Sequence, residues 1–209
     1  MNLIDVEHKM QGHRPRIMET RKQHAVLLPL IETEEGLCFV FEKRAATIFQ
    51  GGELCFPGGG IEDGETAAEA AIREFEEELG ISRSCFEKFY GEYNVLVTYG
   101  HLNIYTFVAL LKPDSLQQMN PSPAEVEKPV VIPLSYLEEN PPRIFEFPIK
   151  PAPSDEEAAE FMAYTDIDPA SYSWRKGSLT IPVWKYKGEQ LWGITARIVR
   201  DFLGNKKEE

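Results

Sequence analysis

The sequence predicts an α+β fold in which a mixed β-sheet lies between helices. Three observations carry this expectation. Apolar, strand-like runs flank one strongly helical stretch at residues 66–80. A second amphipathic stretch, residues 194–203, comes near the end of the chain. Strands and helices do not alternate in the regular way that builds an all-parallel sheet.

In chain order, Leu3, Ile4, Val6 and Met10 predict a short N-terminal helix. Residues 23–31 (Gln-His-Ala-Val-Leu-Leu-Pro-Leu-Ile) are apolar enough for a buried strand. Glu34-Glu35-Gly36 turns the chain, and residues 37–43 return as a second strand. Thr66, with Glu69 three residues later, is a capping box that starts a helix. Ala67, Ala71, Phe75 and Leu79 give that helix an apolar face, and Gly80 suits a left-handed C-terminal cap. Residues 86–97 and 101–111 predict a long hairpin around Tyr99-Gly100. A loop is expected at 121–127, a strand at 130–133, a short helix at 134–138 and a strand at 144–149. Residues 150–176 mix acids, prolines and aromatics without a clean period, and are expected to form an insertion on the surface or over a site. Residues 181–186 and 190–192 form a last hairpin. With no internal repeat and no linker, residues 1–209 are expected to fold as one domain.

Acids outnumber bases 34 to 22, for a net charge of −12. That balance disfavours nonspecific binding to nucleic acid or to anionic membranes, both of which demand positive surface. Cys38, Cys55 and Cys85 lack Cys-x-x-Cys spacing, so neither a thiolate metal site nor a disulfide framework is expected. Each lies in or beside an apolar stretch and reads as a small core residue. No apolar run approaches the ~18 residues of a membrane span. The opening Met-Asn-Leu-Ile-Asp-Val-Glu-His is not that of a signal peptide, so a cytoplasmic protein is expected. His8, His13, His24 and His101 show no i, i+4 pairing and are expected to be structural or surface residues. No Gly-x-Ser-x-Gly supports a serine nucleophile.

The chemistry concentrates in residues 59–81. Glu74, Glu77 and Glu78 stand at relative positions 0, 3 and 4, which puts three carboxylates on one helical face. Like charges so close repel, and a divalent cation would relieve them; hard cations take carboxylate oxygens, waters and substrate phosphates. Phe56-Pro57-Gly58-Gly59-Gly60, directly upstream, lets backbone approach such a site. Arg73, four residues before Glu77, could hold that carboxylate in place. Glu65 is either a helix-start charge favoured by the dipole or a direct metal ligand.

Gly59, Glu65, Arg73, Glu74, Phe75, Glu77, Glu78, Gly80 and Ile81 fill the fixed positions of the Nudix hydrolase box, and the chain resembles that family. The resemblance implies an α/β/α sandwich around a mixed sheet and hydrolysis of a nucleotide-type diphosphate. It further implies Mg²⁺ or Mn²⁺ held by Glu74, Glu77, Glu78 and the Gly58 carbonyl. One carboxylate, Glu74 or a loop acid such as Glu125, would take the proton of the attacking water, and Gly58, Gly59 and Arg44 would lie against substrate. Arg44 and Glu125 could equally be surface charges. Residues 42–59, Ser122-Pro123-Ala124-Glu125-Val126 leading to Val131-Ile132-Pro133-Leu134, and Leu191-Trp192-Gly193-Ile194-Thr195-Ala196-Arg197-Ile198-Val199 are similar to the coenzyme A pyrophosphatases. Ile48 and Gln50 stand where that subfamily usually carries a basic residue and a histidine. The resemblance thus points to coenzyme A or an acyl-coenzyme A, cleaved to 3′,5′-ADP and 4′-phosphopantetheine. ADP-ribose or another nucleoside diphosphate derivative is the alternative substrate, and a non-catalytic, nucleotide-sensing domain the alternative role. A homodimer is left open.

Overall fold

The computed structural model describes residues 2–13, 17–151, 153–165, 167–168, 173 and 176–204. Helix α1 (Leu3–Met10) is capped by Asn2 and Asp5, each accepting the other's backbone N–H, and buries none of its residues. The main sheet is built from β1 (Lys22–Thr33), β2 (Gly36–Arg44), β3 (Leu54–Cys55), β4 (Gly58–Gly60), β5 (Phe86–Val97), β6 (Leu102–Leu111) and β7 (Val126–Pro133). β1 pairs parallel with β6 over Lys22–Ile31, and the other pairings are antiparallel, so the sheet is mixed as the sequence implies.

The register of β1 and β2 shapes the site. β6 covers one edge of β1, so β2 and β4 must share the other. Leu30–Thr33 pair with Gly36–Phe39 as a hairpin, and His24–Val26 pair with Gly58–Gly60. β2 repeats the arrangement. β7 takes one edge, while β1 and then β3 divide the other, with Glu42 opposite Cys55. The two central strands therefore splay into a fork, and residues 54–60 fill it. Leu27 N–H donating to the Pro57 carbonyl at 2.9 Å helps close the fork.

Each face of the sheet carries its own core. Helix α2 (Ala67–Leu79) packs Ala70, Ala71, Phe75 and Leu79 onto Ala25, Leu27, Val40, Phe107 and Ala109. Its capping box is formed, with Glu69 N–H on Thr66 Oγ1 at 3.2 Å and Thr66 N–H on Glu69 Oε2 at 2.8 Å; Gly80 ends the helix at φ 60°. On the opposite face, α6 (Gly193–Phe202) packs Ala196, Ile198 and Val199 with Leu28, Phe39, Phe41 and Ile104. The result is the helix–sheet–helix sandwich expected.

A three-stranded antiparallel ribbon, β8 (Arg143–Ile149), β9 (Gly177–Tyr186) and β10 (Glu189–Leu191), adds Trp184, Tyr186 and Leu191 to the α6-side core. Trp184 Nε1 donates to the Leu137 carbonyl of α4 (Leu134–Glu139) at 3.2 Å. A short helix, α3 (Ser115–Gln118), follows β6.

Several expectations need correction. β7 begins at Val126, inside the predicted loop at 121–127, because β2 supplies a complete edge for it to pair with. β9 begins at Gly177 rather than 181, because its ladder with β8 extends to Ile149↔Gly177. The 150–176 segment, read as aperiodic, contains α5 (Asp155–Thr165). α5 buries only Met162, so it shows no apolar period, yet Ser154 and Glu157 form a capping box of the kind used to find α2. The rest of that segment lies partly outside the described residues. Cys38 and Cys85 are buried core residues as expected, whereas Cys55 is only partly buried and makes a polar contact.

Phe75 is fully buried, with its ring centroid 5.1 Å from that of Phe86. Truncating Phe75→Ala should cost about 3–5 kcal/mol through lost burial and the cavity left behind. Urea unfolding followed by circular dichroism measures this, and a loss under about 1 kcal/mol would show that α2 is not anchored through this ring.

Candidate active site

The glycine strand β4 brings backbone against the acidic face of α2. A Cβ added at Gly58 would collide with the Ala25 carbonyl and Val26, and one at Gly59 would fall on the Glu74 carboxylate. Gly58 needs glycine for space against backbone, and at Gly59 a side chain would displace the Glu74 carboxylate, so both glycines lie against their neighbours at the acidic helix.

Arg73 organises three of the acids. Its Nε and Nη2 donate to the two Glu65 oxygens at 2.9 and 3.1 Å, a two-pronged grip. Its Nη1 donates to Glu74 Oε1 at 2.9 Å and to Glu77 Oε2 at 3.2 Å, and Nη2 also reaches the Gly60 carbonyl at 3.1 Å. The expected Arg73–Glu77 contact is thus the weakest part of a larger network. Glu65 is the main anchor of Arg73. Hydrogen bonds from Arg73, then from the Glu62 backbone N–H, hold the Glu65 carboxyl below its ordinary range. Burial pushes Glu74 up against the pull of Arg73, with Glu77 and Glu125 adding to the rise.

Glu78 behaves differently. The sequence places it on an exposed helical face, but it is buried, because the helix tucks this edge under the fork. It accepts the Gly58 N–H at 2.8 Å. Burial, followed by the charge of Glu42, pushes its carboxyl up to about 9. Glu42, on β2, is 1% exposed, and burial raises its pKa as well. Cys55 Sγ donates to Glu42 Oε1 at 3.0 Å, whereas Glu42 Oε2 is fully buried without a hydrogen-bond partner among the described residues. Burial and the neighbouring Glu42 charge raise the Cys55 thiol, so it stays a protonated donor.

Glu42 and Cys55 escaped the sequence reading. Glu42 lies in an apolar strand run where alternation puts it on the same face as Val40 and Cys38; an acid there, opposite the glycine segment, was the available signal. Arg44 lies beside them, its Nη1 4.0 Å from Glu42 Oε1 and its Nε donating to the Phe49 carbonyl at 3.3 Å. Glu125 is exposed on the loop entering β7, and its carbonyl accepts the Ala45 N–H at 2.8 Å. Its charge adds to the rise of both Glu42 and Glu74. His24 is half-buried, and burial lowers its pKa; no described histidine joins the carboxylates.

The same pattern appears in known proteins. A NUDIX domain model matches residues 21–153, and the chain belongs to that family. An uncharacterized Nudix hydrolase, NudL, of Escherichia coli O7:K1 is 27% identical over 208 residues, 96% of this chain and 93% of the relative. Nudix hydrolase 3 of Caenorhabditis elegans is 29% identical over 115 residues, 54% of this chain and 48% of that protein. A C. elegans Ap4A hydrolase, solved as a binary complex, superposes with a TM-score of 0.46 at 20% identity, over 55% of this chain and 83% of that one. The chain is therefore a Nudix hydrolase. Among the described residues, no helix is long and apolar enough to cross a membrane.

Hydrolases of this family use divalent metal ions. Among the described residues, no three His, Cys, Asp or Glu side chains already converge as a finished cage. Arg73 holds Glu74 and Glu77, while Glu78 turns inward to Gly58. The donor set nonetheless fits a hard cation: it is all oxygen, from carboxylates and the Gly58 carbonyl, it is compressed against glycine backbone, and the neighbouring Glu42 Oε2 has no hydrogen-bond partner among the described residues.

The raised pKa of Glu78 has a definite sign. An acid whose folded pKa lies above its unfolded value contributes stability in full below the unfolded pKa, and loses it as pH rises through the folded one. For Glu78 that window runs from 4.5 to about 9. In chelator, the melting temperature should fall from pH 5 to pH 9, and Glu78→Gln should flatten that fall. Parallel curves for the two proteins would show that Glu78 is not held neutral.

Proposed function

We propose that this chain cleaves the diphosphate bond of coenzyme A or an acyl-coenzyme A, releasing 3′,5′-ADP and 4′-phosphopantetheine. The observation that carries the hydrolytic part is the knot of Glu65, Arg73, Glu74 and Glu77 at the glycine fork, with buried Glu78 beside it. Glu74, Glu77, Glu78 and the Gly58 carbonyl would hold Mg²⁺ or Mn²⁺. When bound, the cation neutralises charge on the phosphoryl oxygens and lowers the pKa of an attacking water.

The chain's own groups divide the remaining work. Arg73 is a positioning residue, since its three nitrogens are all engaged and none is spare for a phosphate. Its grip fixes the rotamers of Glu74 and Glu77 before substrate arrives. Glu74, raised by burial, is a better proton acceptor than an ordinary carboxylate, and it lies within the electrostatic reach of Glu125. Either acid can take the proton from water. Gly58 and Gly59 leave backbone bare where a diphosphate would pass. Arg44 sits at the rim of the same fork and offers the guanidinium geometry that suits phosphate.

The coenzyme A half rests on the stretches outside the box, residues 42–59, 122–134 and 191–199. The 8-oxo-dGTP diphosphatase of Escherichia coli K12, 39% identical over 68 residues (32% of this chain and 52% of that protein), supports diphosphate chemistry in the shared segment rather than any one leaving group.

Glu77→Gln removes a charge from an exposed position without opening a cavity. It should lower turnover by ~10²-fold or more with the fold intact, since a bound cation stabilises several kcal/mol of transition-state charge. Steady-state phosphate release with Mg²⁺ or Mn²⁺ tests this, and near-normal turnover would remove Glu77 from the site. The same assay without turnover on any diphosphate would favour a nucleotide-sensing role.

Substrate choice is tested by comparing coenzyme A, 3′-dephospho-coenzyme A and ADP-ribose at equal concentration. Arg44→Ala should raise KM for coenzyme A more than it lowers kcat. Faster hydrolysis of ADP-ribose would overturn the coenzyme A assignment and leave the hydrolytic one standing.

A further inference from the structure

We infer that the cleft between β5 and α6 binds the phosphate of an organic phosphate, on the face of the sheet opposite the carboxylates. The cleft measures about 300 Å³, and Asn94, Leu96, Thr106, Pro182, Arg197 and Arg200 are among its walls. Thr106 lies on β6 in phase with Ile104 and Val108, which pack with α6. Phe107 packs with α2 instead, so the sheet separates cleft and acids.

The hydrogen-bonding groups of the cleft sort into two sets. One set is satisfied internally. Thr106 Oγ1 donates to the Asn94 carbonyl at 2.8 Å and accepts the Asn94 N–H at 3.0 Å. Tyr93 OH and Asn94 Nδ2 donate to Asp201 Oδ2 at 3.1 and 2.8 Å, so the acid in this wall is already engaged. The other set is the two arginines. Arg197 and Arg200 are both half-buried, yet neither guanidinium makes an ion pair or hydrogen bond among the described residues. Arg197 stands four residues before Asp201, a spacing at which a helix forms ion pairs readily, but Tyr93 and Asn94 hold Asp201 instead.

Two like charges three residues apart on one helix repel. Arg21, Arg83 and Arg143 also lack an ion pair among the described residues, but Arg197 and Arg200 stand together in the wall of one cleft. Each guanidinium brings five donors and no acceptor, and its planar fork matches phosphate oxygens. Leu96, Pro182 and Ile198 provide an apolar wall for the organic part, and the volume is at the small end for a ligand pocket. The phosphate could belong to the substrate itself, such as the 3′-phosphate of coenzyme A, or to a separate nucleotide. The substrate source rests on the proposed function, whereas the binding itself does not.

The test uses the full chain in chelator, with 3′,5′-ADP and inorganic phosphate as probes in calorimetry. Wild-type protein should bind 3′,5′-ADP, and Arg197→Gln/Arg200→Gln should weaken that binding by ~10-fold or more, with an unchanged circular dichroism spectrum. If the double variant does not fold, Arg197→Lys and Arg200→Lys singly keep the charge, lose the fork and should each weaken binding by a smaller factor. The kinetic arm separates the sources. A substrate phosphate seated here predicts that the double variant raises KM for coenzyme A to that for 3′-dephospho-coenzyme A without lowering kcat. A separate nucleotide predicts lost 3′,5′-ADP binding with both KM values unmoved. No binding of either probe to wild type at millimolar concentration, or equal binding to the variants, overturns the inference. If coenzyme A is not hydrolysed at all, the binding result still stands or falls alone.

Discussion

The site depends on the fork between β1 and β2. The two strands form a hairpin at Thr33–Gly36 and then part, because each must give up an edge to a strand from residues 54–60. Without that wedge, β1 and β2 would continue as an ordinary ladder, and no bare backbone would face α2. Filling a fork between two packed layers with Gly58 and Gly59 costs conformational entropy, since glycine loses most on ordering. The return is proximity: a carboxylate rests where a Cβ would otherwise be.

That proximity sets an electrostatic problem, which the chain solves in two different ways. On the outer side, Arg73 binds Glu65, Glu74 and Glu77 and offsets their charge at a partly exposed site. On the inner side, Arg44 reaches Glu42 only at 4.0 Å, and Glu78 makes no ion pair among the described residues. Burial then raises both acids. Helix α2 thus turns one edge bound by Arg73 and one buried, proton-retaining edge to the same fork. Surface ion pairs are individually weak, so the Arg73 network matters for geometry more than for stability.

Sequence periodicity recovered what local physics decides. The capping box at Thr66 and Glu69, the stripe Ala71–Phe75–Leu79 and the left-handed Gly80 are all local, and the structure keeps each of them. Partner-dependent features were harder to read. Residues 126–129 become strand because β2 offers an edge, and residues 58–60 become strand because β1 does. Helix α5 hides because it buries one side chain, so its capping box alone marks it. The site divides the same way. Glu74, Glu77, Glu78 and Arg73 share one helix and were legible from spacing. Glu42 and Cys55 reach the site only by cross-strand pairing, which no local pattern shows.

The two arginines of α6 sharpen this distinction. Spacing alone pairs Arg197 with Asp201, as it pairs Arg73 with Glu77. In the second case the pair forms; in the first, side chains from β5 take the acid away. Both helices therefore contain the same local motif, and tertiary partners decide its fate. Arg73 is used up within the molecule and can only position. Arg197 and Arg200 keep their donors, in a cleft whose one acid among the lining residues, Asp201, is held by Tyr93 and Asn94. An acidic protein that handles phosphates gains from holding an anion by direct contact, and here two guanidinium groups without an ion pair among the described residues stand together in one cleft wall.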